Sequence, residues 1–125
     1  MRKEWYNISD MTEFLYNAVK GVEENTFMSR PKYSERMDKF AVVSFPSTIR
    51  DNGGYGSTTA RIMIYVRDKS YGEDITTLGE MQKKVYGIFP LTNEYYQIIN
   101  PITVPMGGDN SGFHCIAIQC VTIIK

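Results

Sequence analysis

Three stretches of the chain carry residue types that could do chemistry. The first is DNGGYGSTT, residues 51–59, where Gly53, Gly54 and Gly56 run into Ser57, Thr58 and Thr59. Glycines followed by hydroxyls are the raw material of a phosphate cradle. Such a cradle also needs a lysine, and a following helix whose N–H groups complete it. No lysine stands in this loop, and the next segment, ARIMIYVRD, alternates apolar and polar residues as a strand does. The dinucleotide-binding fingerprint fails on the same ground. Asn52-Gly53 is instead a turn signal, because both residues tolerate positive φ.

The second stretch is FHCIAIQC, which holds His114, Cys115 and Cys120. His114 is the single histidine of the chain, and neither cysteine sits in a nucleophile motif. There is no C-x₂-C pair and no second cluster, so the spacing is not that of a metal site. On one strand Cys115 and Cys120 point to opposite faces, and two buried, unpaired thiols are expected. His114 is expected to be structural or edge-facing. The third candidate is Tyr65 between Arg61 and Arg67 on one strand face, a possible stacking platform for bases. The strand order does not match the βαββαβ RNA-recognition module, and an aromatic–arginine face suits protein contact equally well. The carboxylates Glu23, Glu24, Glu73, Asp74 and Glu80 fall at helix ends and caps, where solvation or capping explains them, and Asp109 is expected to serve a turn. No catalytic residue, cofactor or metal is expected, and the chain is read as a non-enzyme.

The composition agrees with that. The 125 residues carry 14 basic and 14 acidic side chains, so no net field draws in nucleic acid or anionic lipid. Apolar content of 42% is ordinary for a globular domain, and residues 1–125 are read as one domain with a core of its own. The first residues, MRKEWYNISD, lack the apolar core of a signal peptide, and no apolar run reaches membrane-spanning length. An intracellular, soluble product is expected.

The elements that must position these residues follow from period and punctuation. ISDMTEFLYNAVKGVEEN predicts a helix capped at Asp10 with Glu13, and GEDITTLGEMQKKVYGIFP a second capped at Thr77 with Glu80. FAVVSFP and ARIMIYVRD predict one hairpin. YYQIINPITVPM, bulged at Pro101 and hence an edge, predicts another with the central FHCIAIQCVTIIK. The order α-β-β-α-β-β predicts an α+β two-layer sandwich: a four-stranded, mainly antiparallel sheet with two helices on one face. The connections at 26–39 and 46–59 are long for such a fold, which points to contact with a neighbouring chain. Arg50, Asp51, Tyr55, Arg61 and Arg67 are the candidate interface residues.

The runs VVSFPSTIRDNGGYGSTTARIMIYVRDK, TTLGEMQKKVYGIFP and YYQIINPITVPMGGDNSGFHCIAIQCVTIIK resemble tail terminator, or tail-completion, proteins of tailed bacteriophages and prophages. The resemblance spans about residues 10 to 125 and rests on layout and on the strand–glycine loop–strand character. It implies a ring-forming adaptor, commonly hexameric, that caps the tail tube and docks to the head connector protein. Such a protein would be made in the bacterial cytoplasm and end in the virion tail, with no membrane and no direct nucleic-acid recognition. The alternative is a small ferredoxin-like domain that binds a ligand or nucleic acid.

Overall fold

The computed structural model of the chain describes residues 7–32 and 36–125. Helix α1 (Ile8–Lys20) starts at Asn7, whose side-chain oxygen accepts the N–H groups of Ser9 and Asp10. Helix α2 (Ile75–Tyr86) starts at Asp74, which accepts both the N–H and the hydroxyl of Thr77. Each helix thus begins about a turn before the cap expected from Asp10 and from Thr77. Two capping residues stand a turn apart at each start, and the earlier one wins because it leaves the apolar stripe intact and adds a turn. The hydrogen bond from Thr77 holds the Asp74 carboxyl below its ordinary range, helped by Lys69 at 3.7 Å. Met11, Leu15 and Val19 of α1 are buried, as are Leu78, Met81 and Val85 of α2.

Among the described residues seven strands form one sheet: β1 (Thr26–Phe27), β2 (Lys39–Ser44), β3 (Arg50–Asp51), β4 (Gly56–Arg67), β5 (Leu91–Thr92), β6 (Tyr96–Gly108) and β7 (Phe113–Ile124). Their spatial order is β1-β2-β4-β7-β6-β5, with β3 paired to the start of β4. β1 and β2 are parallel, and the other pairs are antiparallel. Ala60, Ile62, Ile64 and Val66 alternate inward along β4, opposite Cys120, Ile118, Ile116 and His114 of β7. Both helices pack on this face: α1 lies against β1 and β2, and α2 against β4 and β7. Their apolar stripes join Val43, Ile62, Ile64, Ile98, Ile118 and Ile124 in one core.

The expected four-stranded two-layer sandwich does not hold. β2, β4, β6 and β7 follow the helices in the anticipated order, but the sheet has seven strands and is mixed. The three extra strands are two residues long each, too short to leave an alternation in the sequence. The 46–59 connection is also shorter than expected, since Arg50–Asp51 and Gly56–Thr59 are strand. What remains of the glycine loop is the hairpin turn 52–55, closed by the Asn52 N–H donating to the Tyr55 carbonyl at 2.7 Å. Gly53 has φ +93°, and Asp51 accepts its N–H at 3.0 Å, so the glycines serve a turn.

β6 is bulged between Ile99 and Ile102 and again between Pro105 and Gly107. β5 flanks it only at Gln97 and Ile98, so the rest of its outer side is an edge. β7 is central, as its apolar sequence requires.

Candidate protein interface

The sheet register decides which side chains share the face turned away from the helices. Phe40 sits opposite Tyr65, Tyr65 opposite Cys115, and Arg67 opposite Phe113. At this end the aromatics form a second, smaller core. Phe40 stacks on Tyr65 with centroids 4.7 Å apart and meets Phe113 edge-on at 5.5 Å. Phe27 of β1 closes on Phe40 at 6.4 Å. Arg30 lies over Tyr65, Phe113 and Phe40 at 5.0, 5.4 and 5.7 Å. Asp109 pairs with it at 2.7 Å. Burial pushes the Asp109 carboxyl up, but hydrogen bonds from Arg30, Ser111 and Phe113 outweigh it and hold it below its ordinary range. Burial beneath this layer pushes the Tyr65 hydroxyl up and the Cys115 thiol to about 11. Within the 26–39 excursion, expected to reach a neighbour, Phe27 and Arg30 pack on the chain's own sheet, and residues 33–35 lie outside the described residues.

Past that end the same face is open. Val121 is 44% exposed and Ile102 56% exposed, and both belong to this outer face by register. Ala117 forms a buried floor between Met63 and Val104. The Arg61 Nε is buried without a hydrogen-bond partner among the described residues. An open groove of about 640 Å³ continues the face, lined by Arg50, Val121 and the hydroxyl residues Ser47, Thr48, Ser57 and Thr59.

The five expected interface residues do not form one cluster. Arg50, Arg61 and Arg67 share the outer face, since Arg50 pairs with Ser57 and all alternate in phase. At about 3.3 Å per residue they are strung along the length of β4. Asp51 and Tyr55 stand exposed at the β3–β4 hairpin, with Tyr55 47% exposed at its tip. Arg67 is engaged within its own chain: it lies 4.6 Å from the centre of the Phe113 ring, donates to the Met37 carbonyl and pairs with Asp38 at 3.4 Å. Sequence reasoning missed Arg30 and the Phe40–Phe113 contact, because only the strand register brings them together.

The titratable groups gather elsewhere. His114 Nδ1 lies 2.5 Å from Asp68, and Nε2 lies 3.4 Å from Glu73. Its ring also fills the space beside Gly108, where an added Cβ would approach to 3.1 Å. The Asp68 hydrogen bond raises the His114 pKa, with support from the nearby Glu73 and Asp109 charges. The ring thereby ties the end of β4 to the loop before α2. Next to it an apolar cleft of about 350 Å³ opens between α2 and β6, lined by Ile75, Leu78, Gly79, Pro105 and Ile116. Cys115 projects from the opposite face of β7, so the histidine and the thiol do not form a pair. Cys120, on the core face, has its thiol pushed up by burial to about 12. Among the described residues no cluster of His, Cys, Asp and Glu has the geometry to hold a metal ion.

The class is thus a helix-backed mixed sheet whose second face is half covered by its own chain and half open. Among solved structures, a chain of the virion of the native gene transfer agent particle is similar to it, with a TM-score of 0.60 and 9% sequence identity. That likeness covers 95% of this chain and 98% of the other, so the two share a fold from end to end. No family model matches the sequence, and no curated protein matches it.

Proposed function

We propose that this chain is a non-enzymatic structural component of a phage or prophage virion, a ring-forming tail terminator or head–tail joining adaptor. The observation that carries this reading is the end-to-end likeness to a virion chain. The sequence resemblance to tail-completion proteins points the same way. The open, apolar and arginine-bearing sheet face supports it physically, because a strand apolar on both faces needs cover on both. In this reading the ring, probed first as a hexamer, caps the tail tube and presents a second surface to the head connector protein. Arg50, Asp51 and Tyr55 at the β3–β4 hairpin, with Arg61 on the open face, supply contacts to neighbouring subunits or to the tube. The protein is made in the bacterial cytoplasm and ends in the tail of the particle.

The test is light scattering on the purified protein, followed by electron microscopy with and without tube protein. A closed ring that binds tube ends is the expected outcome. A strict monomer that leaves tube length unchanged overturns the reading.

A further inference from the structure

The half of the outer sheet face beyond the aromatic layer has no cover among the described residues, and Val121 and Ile102 stand exposed on it. By register none of its strand positions is an Asp or a Glu, whereas Arg61 of β4 and Arg50 of β3 both belong to it. Neither arginine forms an ion pair among the described residues. Asp51, next to Arg50 in sequence, alternates away from this face and accepts the Gly53 N–H. The groove around Arg50 adds the hydroxyls of Ser47, Thr48 and Thr59. This surface therefore joins exposed apolar area to cations and hydroxyl donors and has no anion of its own, so its complement is apolar and acidic.

The spacing of the two arginines sharpens that complement. Arg50 lies opposite Ser57, and Ser57 precedes Arg61 by four residues, so their rows are about 13 Å apart along β4. Val121 lies opposite Thr59, midway between those rows. A helix laid along β4 and β7 has the same order, since residues i and i+7 share a face about 10 Å apart with i+3 and i+4 between them. The chain does not supply such a helix among its described residues. Seven residues after Asp10 and Glu13 of α1 stand Asn17 and Lys20. Glu73 and Glu80 have the spacing, but Thr76 and Thr77 stand between them and Glu73 is paired with His114. We propose that the open sheet face is the docking site for an amphipathic helix of a different protein, with apolar residues at i+3 and i+4 over Val121 and Ile102 and carboxylates at i and i+7 on Arg50 and Arg61. Such a helix gives β7 the second cover that its apolar sequence calls for, and the two charge pairs fix its register along the strand. This narrows the assembly reading above and rests on it only for the claim that the face is covered in the particle.

The experiment titrates the purified chain with two labelled helical peptides that share a leucine pair at i+3 and i+4 and differ only at i and i+7, Glu in one and Lys in the other. Fluorescence anisotropy reads the affinities. The Glu peptide should bind about tenfold or more tightly than the Lys peptide. Arg61→Glu should reverse that preference, Arg50→Glu, at an exposed position, should reduce it, and Val121→Asp should abolish binding of both peptides. Equal binding of the two, no binding of either, or a preference untouched by both charge reversals overturns the assignment. So does occupancy of the face by a second copy, read as protection of Val121→Cys from maleimide in the purified protein. Each of these leaves the ring reading standing, whereas a strict monomer that still prefers the Glu peptide overturns the ring and keeps this docking site.

Discussion

Arg30 donates to Asp109 at 2.7 Å across 79 residues of sequence, and the same guanidinium lies over the ring of Tyr65 at 5.0 Å. One side chain thereby fastens the segment after β1, the β6–β7 turn and the aromatic end of the outer sheet face. Because Asp109 also accepts the N–H groups of Ser111 and Phe113, the pair orders the turn as well as the segment.

Arg30→Ala should therefore cost about 1–2 kcal/mol, more than an exposed ion pair alone, since it also loses the aromatic contacts. Asp109→Asn keeps an acceptor for the turn and should cost less. Denaturant unfolding of both singles and the double should show clear non-additivity; additive losses would mean that the two residues act independently.

The His114 bridge predicts a pH dependence whose sign follows from its raised pKa. The folded chain holds the proton more tightly than the unfolded one. Its stabilisation is complete below the unfolded value of about 6.5 and is lost as pH rises through the higher folded value. Asp109, held low, acts in the opposite sense: its contribution is present above about 3.9 and disappears as pH falls through its folded pKa. The stability gap between the wild type and His114→Asn should be widest below about pH 6.5 and narrow as pH rises through the raised folded pKa, leaving the pH-independent packing of the ring beside Gly108. Parallel profiles across that range would show that the imidazolium contributes nothing.

Thr122 is fully buried between Ile98 and Thr58, and its hydroxyl has no hydrogen-bond partner among the described residues. Thr122→Val keeps the branched shape and removes the unsatisfied group. It should stabilise the chain by about 1 kcal/mol, read as a rise of a few degrees in Tm. A loss of stability would mean that the hydroxyl is hydrated in the folded protein.

Cys115 and Cys120 are buried on opposite faces of β7, with thiols raised to about 11 and 12. Neither should react with a thiol reagent at pH 8 in the folded protein, and both should react at once in denaturant. Fast labelling of either in the native state would show that its face of the sheet opens.

Much of this arrangement was legible from residue patterns. The 3.6-residue stripes of α1 and α2 and the period-two alternation of β4 survive intact, because burial selects them directly. Tyr65, Arg61 and Arg67 were also correctly grouped on one strand face. The three two-residue strands were not legible, since an element that short has no period and exists only through its partner. The aromatic layer was hidden for a related reason. Phe40, Tyr65 and Phe113 are far apart in sequence, and only the β2–β4–β7 register makes them neighbours. Along β4 the sheet sets Asp51 and Tyr55 at one end and Arg67 at the other.

Beyond Ile98, β6 runs along the margin of the sheet with no strand on its outer side among the described residues, and Pro101 and Pro105 stand on it. A foreign strand approaching there meets carbonyls but lacks donors at both prolines, so backbone zippering cannot propagate. The two prolines therefore disfavour edge-to-edge pairing along this margin. Whatever assembly copies of this chain enter is then specified by side chains on faces, where a sequence can fix the number of subunits, and not by edge pairing, which has no natural stopping point.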